Sequence, residues 1–441
     1  MPAVRALVRC ALPVLLLVAA AGGALAQTPT RDRPFPEIDG ARRWGPFLVD
    51  LDFLIENVGY DDNVFLVPAD DPNRRTAWTA RVGPEIRAQS HFGRRIVLTL
   101  HDKLVREVFF GVDGIDANNN EFDGRLDVLL GPVLLSTEGS WATTRQRPLS
   151  ELDQRVRLRR TAARQTAYLF LGGRTDLVAS AEVERLRYSD PDLGARFFVD
   201  PDGDGTVLGG NQGVTIGTAL DRDRIELAGE LGWRPRGRTR LFARWEARDH
   251  DFLSDAVQRD SEDRRLSVGL EFRPQASISG RIAVGRARLE NVDDTLANKP
   301  APYDGTVVQG RLVLRPTGRG RITLLGERDV RFSTFERNLY YVLDRRSIAV
   351  DWFLGRWLGV QFGADRRDLN WPERTTVARD AAGRTGFLRE DRIDDVYGGF
   401  LIQLRSGLML GLRFGRRVRE SNLPAADDEQ NYWSTTGSFR F

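Results

Sequence analysis

The last nine residues, Trp433-Ser434-Thr435-Thr436-Gly437-Ser438-Phe439-Arg440-Phe441, decide the fold. Trp433, Thr435, Gly437, Phe439 and Phe441 fall on every second position, with serine, threonine and arginine between them. Period two is the geometry of a strand, because successive side chains leave opposite faces. The same alternation runs back through the chain to about Phe47. Leu408, Leu410, Leu412 and Phe414 alternate with Met409, Gly411, Arg413 and Gly415. Leu266, Val268, Leu270 and Phe272 alternate with Arg265, Ser267, Gly269 and Glu271. Ile225, Leu227, Gly229, Leu231 and Trp233 alternate with Arg224, Glu226, Ala228, Glu230 and Gly232. Helical periodicity is almost absent, so the chain reads as all-β.

Local alternation also fits a soluble sandwich. The connections separate the two. Short ones stand at Gly172-Gly173, Arg234-Pro235-Arg236-Gly237, Arg273-Pro274-Gln275, Arg315-Pro316-Thr317-Gly318, Gly355-Arg356 and Arg405-Ser406-Gly407. Long ones, rich in Asp, Asn, Pro and Gly, lie near 57–75, 111–121, 190–213, 250–262, 290–304, 370–390 and 420–429. Alternating short and long connections are the mark of a transmembrane up-and-down antiparallel β-barrel, with periplasmic turns at one end and extracellular loops at the other. Strand centres near 51, 82, 98, 126, 137, 158, 180, 227, 244, 269, 282, 311, 325, 350, 361, 400, 411 and 436 predict about eighteen strands, with about sixteen as the runner-up. Phe47, Trp78, Trp233, Trp352, Trp357, Tyr397, Phe400 and Trp433 stand near strand ends, where amphipathic rings favour the headgroup level.

The two ends of the chain agree with export to the bacterial outer membrane. Arg5 and Arg9 precede an apolar run, Ala11 to Ala21, and then Ala24-Leu25-Ala26 before Gln27. That order predicts a cleaved signal peptide over 1–26. A short periplasmic lead over 27–45 and a barrel over 46–441 follow. Loss of Arg5 and Arg9 takes two charges from a formal net of only +3, so no electrostatic case for nucleic acid exists. The one cysteine, Cys10, lies inside the leader and too early for lipidation. Charged residues make up 29% of the chain, and no later segment approaches about 18 consecutive apolar residues, so helical spans are excluded. The alternating run Trp433, Thr435, Gly437, Phe439 and Phe441 resembles the terminal-strand signal read by the barrel assembly machinery. Outer-membrane lipid and that machinery are therefore the expected partners.

Two further stretches carry a family resemblance. One is Val58-Gly59-Tyr60-Asp61-Asp62-Asn63-Val64-Phe65; the other is Arg417-Val418-Arg419-Glu420-Ser421-Asn422 with Asn431-Tyr432. Both resemble the putative beta-barrel porin 2 family, and strand rhythm extends the likeness over most of the chain. Asn431 departs from the pattern, which leads one to expect an acidic residue before the tyrosine. The resemblance implies an outer-membrane barrel, often associated with exopolysaccharide-producing systems, and supplies no catalytic residues.

The residues themselves offer little enzyme chemistry. A nucleophile needs a base, usually histidine, and only His91, His101 and His250 exist. His91 is expected in a periplasmic turn, His101 within the third strand and His250 at an extracellular loop. No Gly-x-Ser-x-Gly element surrounds a serine. The stretch before the first strand is also too short for a plug domain. The lumen remains. Inward projection places Arg240, Arg244, Arg248, Arg281, Arg311, Arg315, Arg331, Arg367, Arg413 and Arg417 on the inner wall, with Glu226, Glu230, Glu271, Glu327, Asp329, Asp351 and Asp365. Arginine facing lipid at the midplane costs about 2–4 kcal/mol, so these side chains must meet water or acids. Mixed signs predict at most a mild anion preference. The expected function is a porin-like channel for a hydrophilic solute or polysaccharide, linked to exopolysaccharide export; the alternative is a closed-lumen surface barrel acting through its extracellular loops. One loop also reads Asp200-Pro201-Asp202-Gly203-Asp204-Gly205, three carboxylates spaced as at the opening of a calcium loop. Asn211 stands where an EF-hand needs glutamate, so a simpler calcium site and a solvated turn both stay open.

Overall fold

A computed structural model describes residues 29, 35, 38, 41–147, 155–189, 219–236, 239–254, 259–272, 277–292, 299–335, 338–375, 379–404 and 408–440. Eighteen long strands close into one antiparallel barrel. A short strand, β1 (Arg42–Trp44), precedes them. The wall then runs β2 (Phe47–Asp61), β3 (Ala77–Phe92), β4 (Ile96–Phe110), β5 (Ala117–Leu130), β6 (Val133–Gln146), β7 (Val156–Leu171), β8 (Thr175–Ser189) and β9 (Arg222–Arg236). It continues through β10 (Thr239–Phe252), β11 (Ser261–Phe272), β12 (Ile278–Asn291), β13 (Tyr303–Thr317), β14 (Gly320–Phe332) and β15 (Tyr340–Phe353). The last four are β16 (Leu358–Arg374), β17 (Leu388–Gln403), β18 (Met409–Ser421) and β19 (Asp428–Arg440). Every expected strand centre falls inside one of these strands, so the runner-up of sixteen is not what forms.

Each strand pairs with its sequence neighbours, and β19 closes on β2 with Tyr432 opposite Asp61 and Arg440 opposite Asp52. Closure removes every long unpaired edge. The stagger of that seam leaves the first residues of β2 beyond the reach of β19. There β1 folds back on β2, Arg42 opposite Val49 and Trp44 opposite Phe47, and covers the exposed backbone. The end of the expected lead is thus tied to the barrel rim.

Short turns and longer loops alternate without exception along the wall. The turn expected at His91 falls at 93–95, while the turn at 131–132 and the connections at 147–155 and 333–339 had no composition signal strong enough to mark them. Several loops are shorter than expected because strands such as β16 run on through Trp371 to Arg374. For the same reason His91 lies inside β3, not in a turn, and His250 is buried inside β10, not in a loop.

Parity divides each strand between two media. Leu266, Val268, Leu231 and Phe414 project outward and are exposed, as side chains facing lipid are. Tyr60, Trp78 and Trp433 cluster edge-to-face on the outside of the seam, with ring centroids 6.0 and 5.0 Å apart. Trp233, Trp352, Phe400 and Phe47 take outward positions near the opposite rim. Tyr397 does not join this girdle. Its strand position is inward, and the Arg413 guanidinium sits 4.9 Å from its ring centroid.

The candidate lumen wall

The inward face is built from ion pairs. Near the turn end, Arg240 is buried to 3% exposure and meets Asp176, Glu230 at 2.5 Å and Glu271 at 3.3 Å. Arg234 also pairs with Asp176, and Arg281 reaches Glu230 at 2.6 Å. Halfway up, Arg244 lies 3.0–3.6 Å from Glu226, Glu230 and Glu246. Arg248 meets Glu226 at 2.9 Å, Glu246 at 3.0 Å and Asp263 at 3.3 Å. Arg265 on β11 joins Asp263 to Asp329 on β14, at 2.8 and 2.7 Å. Contacts that skip whole strands must cross the concave interior, which fixes the direction of this face.

The remaining sequence-assigned residues share the same parity. Arg331 pairs with Glu327 and lies 3.8 Å from Asp329. Arg367 and Arg345 share Asp365 at 2.6 and 2.7 Å. Arg417 meets Asp428 at 2.7 Å, Arg413 donates to Gln361 Oε1 at 2.7 Å, and Arg315 donates to Ser279 Oγ at 3.2 Å. Among the described residues, Arg311 and Asp351 have no opposite charge within ion-pair distance. Sequence reasoning missed Asp176, Glu182, Glu184, Glu246 and Asp263, each at the centre of a cluster. Parity was signal enough for Glu246, which stands midway between Arg244 and Arg248 in the chain.

His101 bridges two acids, with Nδ1 2.8 Å from Asp123 and Nε2 2.8 Å from Glu85. Carboxylates only accept, so both ring nitrogens donate and neither keeps a lone pair for proton abstraction. The geometry makes His101 a cationic wall residue. Asp200, Asp202 and Asp204 lie outside the described residues, as does Phe441.

At the loop end the wall turns apolar. Phe335, from the loop between β14 and β15, packs on Trp371, Tyr341, Leu343, Leu369 and Ile393. Trp371 Nε1 donates to Ser333 Oγ at 2.9 Å, and the Arg389 guanidinium lies 4.3 Å from its ring centroid. Across the barrel, the loop after β2 buries Val64 and Leu66. Arg147 donates to the Val64 carbonyl at 2.8 Å. Beneath these segments lies a cavity of about 630 Å³, whose lining includes Arg222, Arg224, Arg248, Arg265, Arg345 and Arg367.

A family model described as "Putative beta-barrel porin 2" matches residues 39–432. The chain belongs to that family. The two stretches that carried the resemblance meet at the seam of this family's barrel. Asn63 is fully buried and its side-chain amide donates to the carbonyls of Val67 and Glu429, at 2.8 and 2.9 Å. Gln430 donates to Asp61 at 2.7 Å. Asn431, where an acid was expected, donates from its backbone and side chain to Asp62, at 2.7 and 3.0 Å. A carboxylate there would face Asp62 with like charge. Among solved structures, OpdO of Pseudomonas aeruginosa aligns with a TM-score of 0.47 at 13% identity, covering 89% of this chain and 97% of that one. OccK1 (OpdK) of the same organism aligns at 0.47 and 11%, covering 89% and 99%. No curated protein matches the sequence. The protein is a porin-like barrel of the bacterial outer membrane.

Proposed function

We propose that the barrel is a channel for a hydrophilic anionic solute. One observation carries this reading: the charges of the wall are layered. The side chains of Glu182, Asp263 and Asp329 are only 4–5% exposed, whereas those of Arg331, Arg345 and Arg367 are 30–45% exposed. Around these three arginines the carboxylates lie deeper and the guanidinium groups stand in front, while Arg240 and Arg265 are buried with their acids at 3 and 6% side-chain exposure. The acids neutralise the wall as a whole, which limits the cost of holding many cations in a low-dielectric shell. A solute nevertheless meets arginine first, and guanidinium binds carboxylate or phosphate in a two-pronged fashion. The lumen surface is therefore more cationic than a count of its charges suggests.

An acidic exopolysaccharide in transit and a small organic anion both fit this chemistry. The apolar cap over the cavity favours the smaller solute. The same cap supports the second reading, a closed-lumen barrel that acts through its surface loops.

Planar-bilayer recording of the purified barrel separates the two. A channel gives discrete conductance steps and, under a salt gradient, a reversal potential displaced toward anions. Neutralising Arg244, Arg311 and Arg413 together to glutamine moves that potential toward cations, because Glu226, Glu230 and Glu246 lose a covering charge. Absence of conductance in the wild type leaves the closed surface barrel. An unmoved potential in a well-folded triple variant rejects the arginine-faced lumen.

A further inference from the structure

Outward-facing arginines gather at one place on the loop end of the barrel. On β7, Leu171, Leu169, Ala167, Gln165 and Ala163 occupy outward positions, Gln165 accepting from the Thr137 hydroxyl at 2.7 Å, and Thr161, Arg159 and Arg157 continue the row toward the loop. Ten residue steps separate Leu171 from Thr161, a rise of about 25 Å for a strand tilted by ~40°, which is the height of a lipid-facing band. Trp141 stands directly opposite Thr161 on β6 and is exposed, as an interfacial ring would be. The arginines thus begin where the hydrocarbon ends, at the level of outer-leaflet headgroups.

Their arrangement is unfavourable without an anion. Arg159 lies directly opposite Arg187, and Arg157 directly opposite Arg145. Opposed residues of neighbouring strands place their Cβ atoms about 5 Å apart, and like charges there repel. Arg187 and Arg185 share Asp223, at 2.6 and 3.4 Å, and Arg145 donates to the Gly114 carbonyl at 2.6 Å. Among the described residues, no carboxylate lies within ion-pair distance of Arg157 or Arg159. Three outward arginines elsewhere on the same rim have acidic partners, whereas Arg346, directly opposite Arg366, has none within ion-pair distance among the described residues. Arg286 meets Asp304, Arg328 meets Asp344, and Arg366 meets Asp394, at 2.6–2.9 Å. The β7–β8 patch differs in setting two such arginines, Arg157 and Arg159, at successive outward positions of one strand.

We propose that Arg157, Arg159, Arg185 and Arg187 form a binding site for the phosphorylated sugar headgroup of an outer-leaflet glycolipid. Each guanidinium can engage two phosphate oxygens, and strand spacing holds the cations at the pitch of one headgroup. The acyl chains would lie on the apolar face of β7 below Trp141. This site is on the outside of the barrel and is independent of whether the lumen conducts.

The test uses the full barrel in phosphatidylcholine nanodiscs. A bis-phosphorylated lipid A glycolipid, or its dephosphorylated form, is added, and bound lipid is counted by native mass spectrometry. Wild type should retain the phosphorylated form at least about tenfold better than the dephosphorylated one. The R157Q/R159Q variant should lose that preference, while R286Q/D304N elsewhere on the same rim should keep it. Equal retention of both glycolipids by the wild type overturns the proposal, whether or not the variant folds. So does unchanged preference in R157Q/R159Q protein whose heat-modifiable migration is native. Displacement of the glycolipid by excess inorganic phosphate would overturn the assignment to a lipid headgroup.

Discussion

At the scale of single residues, the wall separates cations by what stands around them. Arg240 is enclosed by Asp176, Glu230 and Glu271 and has almost no exposure. Its removal takes away the one cation that all three carboxylates share and leaves Arg234 on Asp176 and Arg281 on Glu230 and Glu271. Breaking a buried pair by deleting one partner costs about 3–5 kcal/mol, because the survivor is left charged and uncompensated. Arg240→Gln should therefore lower the urea midpoint of the refolded barrel by an amount in that range, read by tryptophan fluorescence in phospholipid. Arg286→Gln, whose ion pair stands in full solvent, should leave the midpoint unchanged. Equal effects from the two substitutions would mean that the inward clusters contribute no more than surface pairs do.

At the scale of elements, one row across the last four strands shows how glycine and tyrosine share space. Gly363, Tyr397, Gly415 and Tyr432 are successive neighbours in register from β16 to β19. A Cβ on Gly415 would sit 2.3 Å from the Tyr432 ring, and one on Gly363 would sit 2.3 Å from the Tyr397 ring. Each ring lies flat over the glycine beside it, filling the gap left by the missing side chain. The Tyr432 hydroxyl then donates to Asp395 at 2.9 Å. Gly415→Val must lift that ring and break the hydrogen bond, at a cost of about 1–3 kcal/mol by overpacking. Adding Tyr432→Ser should recover part of the loss, and a double-mutant cycle measures the coupling. Strictly additive effects would show that the ring and the glycine are independent.

At the scale of the whole molecule, the fold leaves the choice between channel and closed barrel to the loop end. The wall is wide enough for water, as barrels of about 16–18 strands are. Phe335, just after β14, packs inward at the loop end, 6.2 Å from the Trp371 ring centroid. Phe335→Ala removes that packing without substituting a charged residue, although the buried Arg389 guanidinium, 4.6 Å from the Phe335 ring centroid, loses this neighbour. Single-channel conductance should rise in this variant, while the reversal potential stays as in the wild type. A conductance equal to that of the wild type would place the constriction elsewhere, and the inward fold of Val64 and Leu66 would be the next segment to alter.

Strand count, strand direction and the parity of each wall residue were legible in the sequence. Period-two alternation is a local property, and the lipid-facing residues Leu266, Val268 and Phe414 declare it within a few positions. The family stretches at 58–65, 417–422 and 431–432 were legible too, though not the reason for the first and last, which is contact across a seam that joins the two ends of the barrel wall. Tertiary structure alone decided three things. It chose which acid each arginine meets, because partners such as Arg265 and Asp329 lie on strands that are not neighbours. It buried His250 and drew Phe335 inward, because strands run past the membrane and loops fold into a space that no single segment defines. It also set the depth of each charge, burying Arg240 and Arg265 beside their acids and leaving Arg331, Arg345 and Arg367 more exposed than theirs. Exposure depends on side-chain length and on everything across the lumen, and alternation along one strand carries no information about either.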